Sequence, residues 1–440
     1  MKHKNSTFRS AEPTWANACV GDNGSPSYVE YARGFSKAAN LLISTVLEDR
    51  SIQFTADLFV YPICFNMRHS VELRLKGAIA SLQNLAALKQ KRLDFNLKGT
   101  HDLYKIWSYF KTESIQIDDR FHYINQKIDT TILDIAEVDP TGQTFRYPYN
   151  TKSVKHLTDE SNINIAVLER HFKKLEEGLD ELLWLYDWLT DEYNHSNLKK
   201  IQRNKIFALA NDLPPRSAWG DETFSSIKLQ LREKHQLSSN QLTKAIRYIE
   251  SNYSLASIIG IEKPLLGVTS DDIEELATIW IDDNADIKHL NTDNDILAAS
   301  AASIALEELF NQRRTDWSAL EKLATPEKTA GLHSLFYFAY DHKFTEYYER
   351  IHTHHLAKMQ ILATQENAAI KKQLKNIYHK ANFLHHIIKS LFILGHSALA
   401  ERIISNHGIE HAFSWISEAR NGELSQYPDF AQYPKPGLPW

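Results

Sequence analysis

The stretch FNMRHSVELRLKGAI, Phe65 to Ile79, places Arg68, His69, Glu72, Arg74 and Lys76 inside a run that otherwise reads as a buried helix. Val60, Cys64, Met67, Val71, Leu75, Ala78 and Leu82 recur at three- and four-residue steps and form one apolar stripe, which predicts a helix from about Phe54 to Asn84. Pro62 falls inside that pattern, where it either kinks the helix or marks its true start. Arg68, Glu72 and Lys76 are four residues apart and share a face. His69, three residues before Glu72, joins the same side. On a wet face such a row is a ladder of ion pairs, worth only about a few tenths of a kcal/mol each. In a cleft, Arg68 could hold a phosphate and His69 could move a proton.

Outward from this helix the chain reads as all-α. Tyr28 to about Glu48 puts Ala32, Phe35, Ala39, Leu42 and Val46 on one face. Thr100 is placed to cap a helix that buries Leu103, Ile106, Trp107 and Phe110. Residues 164–191 align Ile165, Leu168, Phe172, Leu175, Leu179, Leu182, Tyr186 and Leu189. Between these helices, DPTGQTFRYPYN (139–150) carries Pro, Gly and alternating aromatics and reads as a structured loop. Its Arg146, between Phe145 and Tyr147, could bind a phosphate beside a stacked base. Alternatively it anchors the loop by pairing with Glu72 or Asp102.

The domain reading follows from the breaks: a polar arm over 1–27, a helical bundle over 28–195, a helical module over 196–290, a helical domain over 291–425 and a Pro-rich tail over 426–440. NDLPPRSAWGDETF is the break after the bundle. LSSNQLTKAIRYIE follows with Ser238 or Ser239 as cap, and its outline is that of a helix-turn-helix carrying Lys244 and Arg247. Helical patterns continue through NDILAASAASIALEELF (294–310) and beyond; the tail is expected to lie extended on a surface.

Composition narrows the function classes. The 440 residues are 43% hydrophobic and 24% charged, with a net charge of −5, so no bulk charge coats nucleic acid or membrane. Cys19 and Cys64 alone make neither a disulfide framework nor a thiolate zinc site, and Cys64 reads as a small buried hydrophobe. There is no apolar signal core, no run near the ~18 apolar residues of a membrane span and no Gly-rich phosphate loop. The expectation is a cytoplasmic protein with no membrane, metal or cofactor.

Two pieces, RHSVELRLKGAI (68–79) and THDLYKIW (100–107), together with the opening helix YVEYARGFSKAANLLIS, resemble the HEPN superfamily of helical domains over about residues 28–160. The resemblance implies a four- to five-helix bundle, often dimeric. It also implies RNA or nucleotide binding, and in many members metal-independent ribonuclease activity in anti-phage defence or toxin–antitoxin systems. In that chemistry the RNA 2′-OH attacks the adjacent phosphate, His handles a proton and Arg stabilises the charge on phosphorus. This chain departs from the family's Arg-x(4–6)-His motif: none lies between 28 and 160, and Arg68 is followed at once by His69. The candidate catalytic residues are therefore a non-standard set, Arg68, His69 and Glu72, with His101, Arg146, Tyr147 and Lys76 as substrate contacts. The other readings are a non-catalytic scaffold that docks a partner protein, and a DNA-binding regulator.

Three further features carry weaker readings. Arg350 with His355, and Arg402 with His407, reproduce the motif spacing in the later helices. His352 and His355 share a face and could ligate a metal, though a solvated face is the plainer use. Lys199, Lys200, Arg203 and Lys205 form a local basic run that could touch phosphates.

Overall fold

A computed structural model describes the chain except for residues 1–4, 22, 24–25, 50–51, 151, 196–200, 221, 286, 288–316, 342–343, 366, 381, 426 and 434–440. The fold is all-α. Among the described residues the only extended pairing is a single bridge between Tyr149 and Lys155. The chain divides into two compact units: Met1–Asn194 with Pro428–Trp440, and His195–Tyr427. Lys199, Lys200 and NDILAASAASIALEELF lie outside the described residues.

The first unit is built from α1 (Tyr28–Glu48), α2 (Ala56–Leu88), α3 (Leu103–Ile117), α4 (Phe121–Val138) and α5 (Ile165–His195). Ser27 and Glu30 close a capping box that starts α1. Its buried face is Ala32, Ser36, Ala39, Ile43 and Val46, so the helix is rotated slightly from the expected face and Phe35 and Leu42 are only half-buried. α2 begins at Ala56 and passes through Pro62, so the proline does not mark its start. Pro62 sits on an exposed side of the helix, which leaves the carbonyl one turn back open to water. Asp102 caps α3 by accepting from the Lys105 amide at 3.1 Å, and Thr100 does not. Asp102 is the extended residue immediately before the first helical turn, and from there its carboxylate reaches an orphan N–H.

Leu103, Ile106, Trp107 and Phe110 of α3, Ile124, Ile128 and Ile132 of α4, and Phe172, Leu175, Leu182 and Leu189 of α5 are all buried, and form the bundle core with α2. Gly178 lets α5 close on α4: a Cβ there would lie 2.3 Å from Ile128 Cγ2. The tail is not extended throughout, since Asp429–Ala431 forms a 3-10 turn. Phe430 packs against Trp184 and Trp188 of α5. Tyr433 covers Arg120, with its ring 4.2 Å from the guanidinium.

The second unit opens with α6 (Arg203–Asp212), α7 (Glu222–His235), α8 (Ser239–Ser251) and α9 (Tyr253–Ile258). Ser238 caps α8 through a box with Gln241. These helices share a core centred on Leu209, Ala245, Ile249 and Leu255. Arg203 is buried and paired with Glu346, with Nη1 2.5 Å from Oε1, so it is not part of a free basic run. After α9 come α10 (Ser270–Asp283), α11 (Trp317–Leu320), α12 (Pro326–Asp341), α13 (Glu346–Gln365), α14 (Asn367–Tyr378), α15 (Phe383–Ile393), α16 (Ser397–His407) and α17 (Ile416–Arg420). One core runs through them from Tyr253 to Ala419. No helix among the described residues is long and apolar enough to cross a membrane.

Candidate functional site

The polar row on α2 is made as spaced, but it is buried. Arg68, Glu72 and Lys76 are 2%, 3% and 4% exposed. Glu72 accepts from Arg68 Nη1 at Oε2 and from Lys76 Nζ (2.8 Å) at Oε1. The same Oε1 lies 2.9 Å from His101 Nδ1. Burial pushes the Glu72 carboxyl up, yet the hydrogen bonds from Lys76 and Arg68 outweigh it and hold the group below the usual carboxylate range. A buried carboxylate with three partners is a well-satisfied charge, not a wet ladder.

Arg68 uses the rest of its fork on backbone. Nε donates to Asp139 O at 3.1 Å, and Nη2 donates to His101 O at 2.6 Å and Pro140 O at 2.9 Å. Asp139 Oδ1 in turn accepts from the amides of Gln143 and Thr144. Gly142, at φ +76°, turns the chain against the guanidinium, where a Cβ would stand 3.1 Å from Nη1. Arg68 therefore ties the entrance of α3 to the root of the 139–163 loop. A fork committed in this way has little left for a phosphate.

His69 does not join this network. Its ring packs edge-on to Phe35, with centroids 4.5 Å apart, and stacks on Phe65 at 5.7 Å. Burial lowers its pKa; Glu72 opposes this, and Arg68, Lys76 and Arg146 reinforce it, so the imidazole is neutral at physiological pH. Arg146 approaches the same Phe65 ring, with its Cζ 5.6 Å from the Phe65 centroid and 5.2 Å from that of Tyr147. Arg146 is exposed, donates to Tyr147 Oη at 3.3 Å and pairs with neither Glu72 nor Asp102. The anchoring expected of Arg146 is supplied by Arg68.

Arg146 and Tyr147 line a cleft of about 690 Å³ with Tyr61 of α2 and with Lys155, His156 and Asn162 of the loop. A tight turn sets the loop's shape. Asn150 accepts at Oδ1 from the amides of Lys152 and Val154, the Asn150 amide donates to Val154 O at 2.9 Å, and the His156 amide donates to Pro148 O at 3.0 Å. The turn brings Lys155 and His156 back beside Tyr147 and Pro148. His156 Nε2 is buried without a partner. Asp57 and Glu160 also line the cleft, so its charge is balanced and recognition here depends on placed contacts rather than a bulk field.

Arg68, Glu72, Lys76 and His101 thus converge on one knot, and Arg146 and Tyr147 on a separate cleft, while His69 packs on Phe35 and Phe65 and lines neither. Sequence reasoning missed Tyr61, Lys155 and His156. A Lys-His pair following a Tyr-Pro-Tyr loop was the available signal.

A second buried arginine is more enclosed still. Arg120 donates from Nε and Nη2 to Asp118 (2.8 and 3.0 Å) and from Nη1 and Nη2 to Glu192 (2.9 Å each), with its side chain fully buried. Tyr193 Oη donates to the same Asp118.

Of the later pairs, Arg402 bonds to Glu274 and His407 Nε2 lies 3.2 Å from Thr278 Oγ1, which ties both to α10. His355 stacks on Tyr337, and Arg350 is exposed. Among the described residues no group of three His, Cys, Asp or Glu side chains is placed to hold a metal. Cys64 is buried, and its thiol is pushed up to about 12 by burial and by Asp139, so it is an inert core residue. The chain matches no protein-family model, no curated protein and no solved structure.

Proposed function

We propose that the first unit is a HEPN-like module that binds RNA or a nucleotide in the cleft of Tyr61, Arg146, Tyr147, Lys155 and His156. One observation carries the reading: Arg146 is exposed, lies against two aromatic rings and is without an acidic partner among the described residues, at the edge of a nucleotide-sized cleft. An arginine fixed on aromatic faces offers both a charged fork for a phosphate and a planar surface for a base. Tyr147 and Tyr61, about half-exposed, extend that surface.

Strand cleavage is the active form of this reading. His69, neutral and stacked on the same Phe65 ring that Arg146 approaches, has the protonation state of a base toward a 2′-OH. Arg146 would stabilise the charge gathering on phosphorus, and Arg68 would act as a positioning residue for the loop that carries it. The defence or toxin setting belongs to this same proposal.

Titration of labelled single-stranded RNA with the full chain tests it. The expected result is salt-dependent binding that Arg146→Ala and Lys155→Ala weaken while the thermal midpoint is kept. Absence of saturable binding at low salt, with a stable complex formed instead with a partner protein, would favour the scaffold reading. Release of products with 2′,3′-cyclic phosphate ends, abolished in His69→Ala, would support cleavage.

A further inference from the structure

The second unit holds a cleft of about 400 Å³ where α12, α13 and α14 meet, with Lys380 just beyond α14. His333 lines it and is 5% exposed. Its Nε2 lies 3.2 Å from the Gln373 carbonyl, which fixes the proton on that nitrogen and leaves Nδ1 as a lone pair. That Nδ1 is buried and has no partner. His355 stands beside it, with ring centroids 5.2 Å apart, and its own Nδ1 is also buried without a partner. Its ring is stacked on Tyr337, centroids 5.3 Å apart and planes 15° from parallel.

Two unpartnered imidazole nitrogens in one cleft are costly unless something meets them. The other polar liners indicate what it is. Lys358 and Lys380 both open onto the cleft, and neither forms an ion pair among the described residues. Among the described residues no carboxylate lines the cleft. Burial, with nearby lysines, brings His333 down to about 4 against the opposing Gln373 hydrogen bond, and burial with the neighbouring imidazoles and Lys358 brings His355 to about 4, so the cleft combines two lysines with two neutral rings. Such a set is matched by one kind of ligand, a compact multivalent anion.

We propose that this cleft binds the phosphate group of a small molecule, with Lys358 and Lys380 as the charged contacts and His333 and His355 closing on its oxygens. An arriving dianion favours imidazolium over imidazole. A proton from solvent then enters at Nδ1 of one ring, which turns a lone pair into a donor, and a small rotation of the ring presents it to the anion. Tyr337, half-buried under His355, holds that ring in place. The same chemistry would serve free phosphate or a phosphate monoester.

Calorimetric titration of the full chain with inorganic phosphate, and separately with adenosine 5′-monophosphate, tests the assignment. Saturable binding is expected for at least one probe, weakened about tenfold or more by Lys358→Gln and again by Lys380→Gln, since each removes a charge-assisted hydrogen bond. Both lysines are exposed, so these variants keep their fold, and an unchanged thermal midpoint verifies this. Tighter binding of the monophosphate identifies a monoester as the ligand; binding of phosphate alone identifies the free anion. Proton uptake on binding, read as a buffer-dependent heat, is expected in wild type and reduced in His333→Gln. No saturable heat with either probe overturns the proposal, and so does binding that both lysine variants leave unchanged.

Discussion

Arg68 and Arg146 belong to the same unit and stand on either side of the same loop root, yet their side chains are used in opposite ways. Arg68 is buried, and its donors end on one carboxylate and three carbonyls. Arg146 is exposed and leans on two aromatic rings. The first guanidinium is a fastener. The second is available to a ligand, and it is held there because the first fixes the loop. The value of an arginine to function depends on which donors remain after the fold has taken its share.

The largest effect tests the fastener. Arg68→Ala leaves Glu72 buried with one partner fewer and releases the carbonyls of His101, Asp139 and Pro140. A loss of about 3–5 kcal/mol is expected from urea unfolding, the range for breaking one side of a buried pair. A stable Arg68→Ala that no longer binds RNA would invert the comparison and make Arg68 the ligand-binding group.

Glu72→Gln comes next, at about 1–3 kcal/mol near neutral pH, because a neutral amide cannot satisfy two cations in the same geometry. The pH dependence has a definite sign. The folded carboxyl is held below its ordinary value of 4.5. Its contribution is therefore present above the unfolded value and lost as pH falls through the folded one. Midpoints followed from pH 6 downward should fall less steeply in Glu72→Gln than in wild type; parallel curves would remove Glu72 from the stabilising set.

Arg146→Ala should leave stability within about 0.5 kcal/mol, as expected of an exposed side chain. Its effect belongs in binding, where the salt slope for single-stranded RNA should drop by about 0.7 because one phosphate is no longer neutralised. An unchanged slope with weaker binding would assign Arg146 to base stacking instead. The smallest effect is expected from Tyr433→Phe. Its hydroxyl reaches Glu192 Oε1 at 3.3 Å, a long bond, so a loss of at most about 1 kcal/mol is expected from thermal unfolding.

Much of the fold is legible in the sequence because helical periodicity is local. The stripes of α2 and α5, the box at Ser238 and the break after the bundle all follow from neighbours in sequence. The i,i+4 row on α2 is legible as a row, but whether it faces water is not. Loop 139–142 lies about seventy residues away and decides that burial, and no spacing rule reaches so far. For the same reason spacing points to Thr100 as the cap in place of Asp102, and sets the face of α1 off-centre. Asp118 and Arg120 pair locally, but Glu192, which completes the network, lies 72 residues away and no local spacing points to it. The cleft residues Lys155 and His156 emerge only when the Asn150 turn folds them back, and the paired histidines of the second unit come from two different helices.

The segment that packs Phe430 against Trp184 and Trp188, and Tyr433 over Arg120, has a consequence for the order of assembly. Arg120 is covered by a residue made long after it, with all of His195–Tyr427 in between. At about 5–20 residues per second, a ribosome takes roughly ten to fifty seconds to make that stretch. During synthesis the five-helix bundle must wait with its aromatic stripe uncovered while another unit forms from the growing chain. The first part to be made is among the last to be finished.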